Sequence, residues 1–189
     1  MSNEAFHAAS IGGDLRALRK VRGLTLQQAA QHMSRSTGWM SQVERGLSAP
    51  SAGEVQRLAA LYDVPVSMVL GETGAPEPEQ GRVVRADARR PIGQRVPGMV
   101  EELLSPDLTD SFEVIHTTFH PHTGIDTPRQ RPTEEIGYIL SGRLNVTIGG
   151  HPFQVKRGDS FRIRAEPYLW ENPYATAAQA LWVIAPPLY

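Results

Sequence analysis

In the stretch "PRQRPTEEIGYILSG", residues 128–142, Arg129 and Arg131 stand two apart and Glu135 follows four residues later. A guanidinium stays charged at any physiological pH, and its planar fork of donors matches a carboxylate or a phosphate. A glutamate beside two such groups either neutralises them or takes the amine of a ligand that carries both charges. Tyr168 and Trp170, two apart in "EPYLWENP", offer an aromatic wall of the kind that small-molecule sites combine with a few polar groups. A second set, His116, His120 and His122 in "HTTFHPHTG", has the donor type of a metal site. Pro121 and Gly124 point to a loop there, and exposed loop histidines are commoner than ligands, so no metal is assigned. His151 follows a Gly-Gly turn and reads as exposed.

For these groups to meet, they must lie on strands that share a face. Alternation gives Arg129, Arg131 and Glu135 one parity, as it does Tyr168 and Trp170, although Pro132 can break the register of the first set. The surrounding pattern has the required period of two: Leu144, Val146 and Ile148 alternate with polar partners, Phe161 and Ile163 with Arg162 and Arg164, and Trp182 is followed by Ile184. Short strands broken by "SG", "GG" and "RGD" turns imply an antiparallel sandwich or small barrel from Arg82 to the end.

The first part of the chain has a different period. Leu15, Leu18 and Val21, then Leu26, Ala29, Ala30 and Met33, then Met40 and Val43, then Val55, Leu58 and Leu61 recur at helical spacing. Thr25 with Gln28, and Ser51 with Glu54, have capping-box spacing, and Gly23, Gly46 and Gly71 mark ends. This predicts about five short helices joined by tight turns. Between the halves, "GETGAPEPEQG" lacks large apolar residues and suits a hinge. The resulting boundaries are an N-terminal tail at 1–13, a helical domain at 14–71, a linker at 72–81 and a β domain at 82–189.

Composition narrows the function classes. The 189 residues are 40% apolar and 21% charged with net charge −1, so any nucleic-acid contact must come from a local patch. The absence of cysteine excludes disulfides and thiolate chemistry and fits a reducing cytoplasm. No apolar run is long enough to span a bilayer, and "MSNEAFHAAS" lacks the parts of a signal peptide. The expected location is the cytoplasm, with no membrane partner.

A short helix opening at Ser36 can enter a DNA major groove with its first residues at base edges. Met40 and Val43 face the core, leaving Thr37, Gly38, Ser41 and Gln42 outward. Gln42 is the candidate for direct readout because its amide can bond adenine N6 and N7, and Thr37 can offer a methyl or a hydroxyl. Ser36, Arg35 and Arg45 suit phosphate. Trp39 fits either the sugar-phosphate backbone or a gap between helices, and Arg16, Lys20 and Arg22 read as a solvated face.

The stretch "LTLQQAAQHMSRSTGWMSQVERG", with "LRALRKVRGLT" before it and "PSAGEVQRLAALYDV" after it, resembles the helix-turn-helix of the Xre or phage-repressor family from about Asp14 to Leu70. The resemblance implies a lambda-repressor-like bundle, an internal pair between Arg19 and Glu44, and a homodimer on two half-sites about 34 Å apart or a multiple of that. Ser34 and Arg35 stand where the family usually has glycine and an apolar residue, and Gly38 weakens the second helix by roughly 1 kcal/mol relative to Ala.

From about Gly98 onward the chain resembles a cupin, on "EEIGYILSGRLNVTIGG" followed by "FQVKRGDSFRIRAEPYLWENP". The resemblance implies an antiparallel double-stranded β-helix barrel. Metal-binding cupins place an HxH pair just before the glutamate and a third histidine in the second motif. Counting back from Glu135 and from Asn172, these positions fall on Arg129, Arg131 and Tyr168. Guanidinium groups offer no lone pair to a cation, so the usual metal and its chemistry are rejected. The sequence therefore implies a two-domain α + β protein without catalytic residues or cofactor. The expected function is a DNA-binding regulator, a repressor, whose pocket of Arg129, Arg131, Glu135, Tyr168 and Trp170 takes an anionic or amino-acid-like effector. A metal-dependent cupin enzyme and a cupin serving only dimerisation are the alternatives.

Overall fold

The structure, a computed structural model, describes residues 8–70, 78–79, 81–92 and 96–188. Five helices come first: α1 (Ala8–Val21), α2 (Leu26–His32), α3 (Thr37–Glu44), α4 (Ala52–Leu61) and α5 (Val66–Leu70). Both expected capping boxes form. Gln28 N–H donates to Thr25 Oγ1 at 3.1 Å while Thr25 N–H donates to Gln28 Oε1 at 2.8 Å. Glu54 N–H donates to Ser51 Oγ at 3.4 Å, and Ser51 N–H to Glu54 Oε2 at 2.8 Å. Each box satisfies orphan donors and fixes where its helix begins.

The first helix starts well before Asp14, against the expected tail at 1–13. Ile11 is buried and extends the stripe of Leu15 and Leu18 by one turn. Gly12 then allows close approach to α3, because a Cβ there would lie 2.5 Å from the Val43 carbonyl oxygen and 2.9 Å from the Gly46 nitrogen. Arg19 joins the same two helices by a two-pronged pair with Glu44, Nε to Oε1 at 2.6 Å and Nη2 to Oε2 at 2.9 Å. Its Nη1 also donates to the Leu24 carbonyl at 2.8 Å, so it is structural, as the resemblance implied.

The chain divides into two compact units, 1–92 with 105–110, and 93–104 with 111–188. Residues 82–92, expected in the β domain, group instead with the helices. The physical reason is Arg90, which is buried and donates to Asp14 Oδ2 at 2.7 Å, to the Met68 carbonyl at 3.1 Å and to the Pro106 carbonyl at 2.7 Å. Asp14 also accepts the Leu108 N–H at 2.8 Å. A buried ion pair holds only when its remaining donors and acceptors are met, and the loop at 105–110 meets them. Most of the expected linker at 72–81, and the expected Gly71 stop, lie outside the described residues.

The strands are β1 (Arg90–Pro91), in the first unit, then β2 (Met99–Leu103), β3 (Glu113–Phe119), β4 (Thr123–Gly124), β5 (Glu134–Ser141), β6 (Arg143–Ile148), β7 (His151–Lys156), β8 (Ser160–Arg164), β9 (Tyr168–Asn172) and β10 (Ala178–Ala185). In the second unit they form two antiparallel sheets, ordered β2-β3-β10-β5-β8 and β4-β9-β6-β7. The period of two governs burial: Ile115, Phe119, Ile139, Ile163, Ala180 and Ile184 point inward from the larger sheet, and Leu144, Val146 and Trp170 from the smaller. Phe119 and Trp170 meet across the core edge to face, with centroids 4.6 Å apart. Gly142 turns β5 into β6 at φ +76°, where a Cβ would lie 2.6 Å from the Ala177 carbonyl oxygen.

Candidate functional site

Two arrangements carry chemistry, one in each unit. In the first, Ser36 caps α3 by accepting the Trp39 N–H at 3.1 Å. Met40, Val43 and Glu44 are buried, whereas Ser36, Thr37, Gly38, Gln42 and Arg45 are exposed and Ser41 and Trp39 are half-buried. The turn before this helix keeps a left-handed residue where the sequence has Ser34, at φ +52°. Arg35 is drawn back onto the bundle, with Nη2 2.7 Å from Glu54 Oε1 and its guanidinium 5.5 Å from the centre of the Trp39 ring. Arg45 Nε donates to the Ser41 carbonyl at 3.2 Å. The outward row of α3 is thus small and polar, flanked by two arginines.

The second arrangement lies inside the β unit. Arg129 is tied to β9 by reciprocal backbone hydrogen bonds with Tyr168. Direct pairing places both side chains on one face, and Arg129, Arg131, Glu135, Tyr168 and Trp170 all line one cavity of about 20 Å³. Pro132 does not disturb this. Glu135 is 2% exposed and accepts the Thr133 hydroxyl at 2.7 Å. Burial holds the Tyr168 phenol above its ordinary range; Glu135 and Glu101 act in the same direction, and Arg131 and Arg129 oppose them.

Glu101, on β2, was missed as a cavity residue. "MVEEL" alternates with Met99 and Leu103 buried, and a carboxylate at the inward parity between them was the available signal. Phe119 and Trp182 complete the aromatic wall. A wider open groove of about 590 Å³ runs along the outer side of the smaller sheet past Asn145, Thr147 and Glu171. The groove is the larger space, whereas the cavity brings two buried carboxylates together with two half-buried guanidinium groups.

The three histidines do not converge. His116 belongs to β3 rather than to a loop, and its Nδ1 lies 3.4 Å from Glu102 Oε2. His120 and His122 are exposed in the following turn, where Asn172 holds the backbone by donating to the Phe119, His120 and Thr176 carbonyls at 3.0, 3.1 and 3.0 Å. Among the described residues, no group of three or more histidines and carboxylates is placed to hold a metal ion. Nor is any described helix long and apolar enough to cross a membrane.

Comparison with known proteins agrees with both halves. The chain is 25% identical to the HTH-type transcriptional regulator PuuR of Escherichia coli over 165 residues, 87% of this chain and 88% of that one. It is 29% identical to the transcriptional regulator ClgR of Mycobacterium tuberculosis over 97 residues, 51% of this chain and 87% of that one. Among solved structures, KdgF from Halomonas sp. is 16% identical with a TM-score of 0.50, covering 57% of this chain and 94% of that one, a likeness of fold alone. Residues 10–70 match the helix-turn-helix domain family and residues 115–184 match the cupin domain family.

Proposed function

We propose that this chain is a cytoplasmic, sequence-specific DNA-binding transcriptional regulator, a homodimer and a repressor, whose cupin cavity binds a small-molecule effector without a metal. It is not an enzyme on this reading. The observation that carries it is α3: a capped helix with Met40 and Val43 buried beneath an exposed row of Thr37, Gly38 and Gln42. Such a helix can place short polar side chains at base edges while Arg35, Ser36 and Arg45 meet phosphates and Trp39 supports the backbone contact. The kinship with named transcriptional regulators supports the same reading.

The cavity supports the effector. Arg129 and Arg131 suit the carboxylate of an anionic or amino-acid-like ligand, Glu135 and Glu101 suit an amine, and the aromatic side chains suit an apolar body. A space of about 20 Å³ holds roughly one water, so a ligand must displace the charged side chains that fill the cavity. That displacement gives the effector different affinities for two states, which is the requirement for allosteric control.

The test is binding of the purified chain to its own upstream DNA against random duplex at several salt concentrations. A salt-sensitive preference that Gln42→Ala weakens is the expected result; equal affinity for both duplexes sinks the proposal. A thermal-shift screen of amino acids, polyamines, organic acids and sugar acids tests the cavity, with Arg131→Ala abolishing the shift of any hit. If no compound stabilises the protein, the cupin serves only dimerisation.

A further inference from the structure

The exit of α3 carries a leucine that the fold leaves bare. Gly46 ends the helix in the left-handed region at φ +68°. Its N–H donates to the Val43 carbonyl at 3.0 Å, and the Leu47 N–H donates to the Gln42 carbonyl at 2.9 Å. These two nested bonds set the position of Leu47 by the helix end rather than by the loop that follows. In closures of this kind an apolar residue after the glycine commonly packs on the residue whose carbonyl its own N–H has reached. Here that residue is Gln42, which is polar and exposed. Leu47 is 68% exposed, the most exposed of the large apolar side chains among the described residues.

The direction of Leu47 follows from what lies behind it. The α1 backbone occupies the inner side of this turn: a Cβ on Gly12 would lie 2.5 Å from the Val43 carbonyl oxygen, 2.9 Å from the Gly46 nitrogen and 3.0 Å from the Glu44 carbonyl oxygen. That approach leaves no room for a leucine on the inner side, so its side chain projects to the side on which Gln42 is exposed. Arg45 flanks the same end, with its Nε on the Ser41 carbonyl at 3.2 Å. A leucine exposed on a general surface needs no explanation. This one is fixed beside a side chain suited to base edges, and apolar surface gains only by leaving water for another apolar group. The major groove offers one such group, the C5 methyl of thymine.

We infer that Leu47 is a specificity-determining residue that reads the C5 methyl of a thymine in the base pair next to the adenine bonded by Gln42. This rests on the DNA-binding reading above and extends the reading face beyond the end of α3. The two residues together select adjacent A·T base pairs in each half-site, Gln42 by hydrogen bonds and Leu47 by burial of the methyl.

The experiment uses the full chain and a pool of random duplexes, from which the wild-type protein selects its own site at fixed salt. Each thymine of that site is then replaced singly by deoxyuridine, which removes the C5 methyl and keeps the base pairing. One replacement in each half-site, next to the adenine whose preference Gln42→Ala relaxes, is expected to weaken wild-type binding by about fourfold, the effect of leaving one methyl group in water. The same replacement is expected to leave the affinity of Leu47→Ala unchanged, and Leu47→Met is expected to recover the sensitivity. Sites selected by Leu47→Ala are expected to lose the preference for thymine at that position and to keep the adenine set by Gln42. Thermal unfolding checks that each variant keeps its fold. Deoxyuridine that affects wild type and Leu47→Ala alike at every position overturns the assignment. So does a Leu47→Ala chain that binds all duplexes more weakly by one common factor with its base preferences intact, which marks a contact with sugar or a role in the fold alone. A wild-type chain that selects no site overturns the DNA-binding reading and this one with it.

Discussion

Arg129 and Tyr168 exchange both of their backbone hydrogen bonds, Arg129 N–H to the Tyr168 carbonyl at 2.9 Å and Tyr168 N–H to the Arg129 carbonyl at 2.8 Å. This single bridge brings a residue from the loop before β5 into register with β9 and sends a guanidinium and a phenol into the same cavity. The pairing leaves a signature in the alkaline limb of stability. Burial raises the Tyr168 phenol above its ordinary value of 10.0, so the folded state favours the neutral form. The stability this contributes is fully present below that value and is lost as pH rises from it through the raised folded one. Tyr168→Phe is therefore expected to flatten the decline of Tm between about pH 9 and 11. Arg131→Ala removes a cation that lowers the phenol's pKa, and is expected to steepen it. Equal slopes in all three proteins would show that the phenol does not feel the cavity.

Ser34 occupies a left-handed turn at φ +52° between α2 and α3. An L-residue with a Cβ costs roughly 1–2 kcal/mol in this region, and glycine adopts it freely. Glycine also loses more entropy on folding, so Ser34→Gly is expected to stabilise the protein by about 1 kcal/mol. Urea denaturation measures this as a shift in midpoint at constant slope. DNA affinity is expected to stay unchanged, because the side chain is not among the outward residues of α3. Destabilisation by the glycine would mean that the serine hydroxyl has a role its geometry does not show.

Local patterns made most of both sites legible in advance. The 3.6 period with two capping boxes located α2 to α4, because those signals are carried within four residues of each helix start. The period of two placed Arg129, Arg131 and Glu135 on one face, because strand pairing preserves parity even through Pro132. Long-range accommodation was not legible. Nothing near Arg90 reveals that its partner lies 76 residues earlier, so 82–92 read as part of the β domain when it packs with the helices. Glu101 escaped for a related reason: the parity of Met99 and Leu103 competes with an apolar Val100 on the other face, and the register with Thr117 on β3 decides between them.

Glu54 gives an acid-side prediction. Burial disfavours its carboxylate, but hydrogen bonds from the Ser51 backbone and hydroxyl and from Arg35, with the Arg35 charge, outweigh burial and hold the carboxyl below its ordinary value of 4.5. A lowered folded pKa contributes stability that is present above the ordinary value and lost as pH falls through the folded one. Wild-type Tm is therefore expected to fall more between about pH 5 and 3 than that of Glu54→Gln. Arg35→Ala is expected to act in the same direction with smaller effect. The variant doubles as a functional probe, since losing Glu54 releases Arg35 beside α3. If Arg35 serves phosphate, Glu54→Gln strengthens non-specific DNA binding and steepens its salt dependence.

The ion pair of Asp14 and Arg90 makes the strongest stability prediction. Arg90 is 7% exposed and Asp14 1%. Burial raises the Asp14 carboxyl above its ordinary range even though Arg90, the Leu108 N–H and the Arg90 hydrogen bond pull it down. Desolvation therefore takes back much of what the attraction supplies, and the pair is worth less than its 2.7 Å geometry implies. Removing one partner is a different matter, because it strands the other. Asp14→Ala leaves the buried guanidinium without its counter-charge and the Leu108 N–H without its acceptor, and is expected to cost about 3–5 kcal/mol. Asp14→Asn, which can still accept from Leu108, is expected to cost less. Replacing both, as in Asp14→Leu with Arg90→Leu, is expected to cost less than the sum of the two single changes, and a double-mutant cycle by urea denaturation measures the coupling. Additive losses would show that the residues do not act as a pair, and would remove the physical reason for counting 82–92 with the helices.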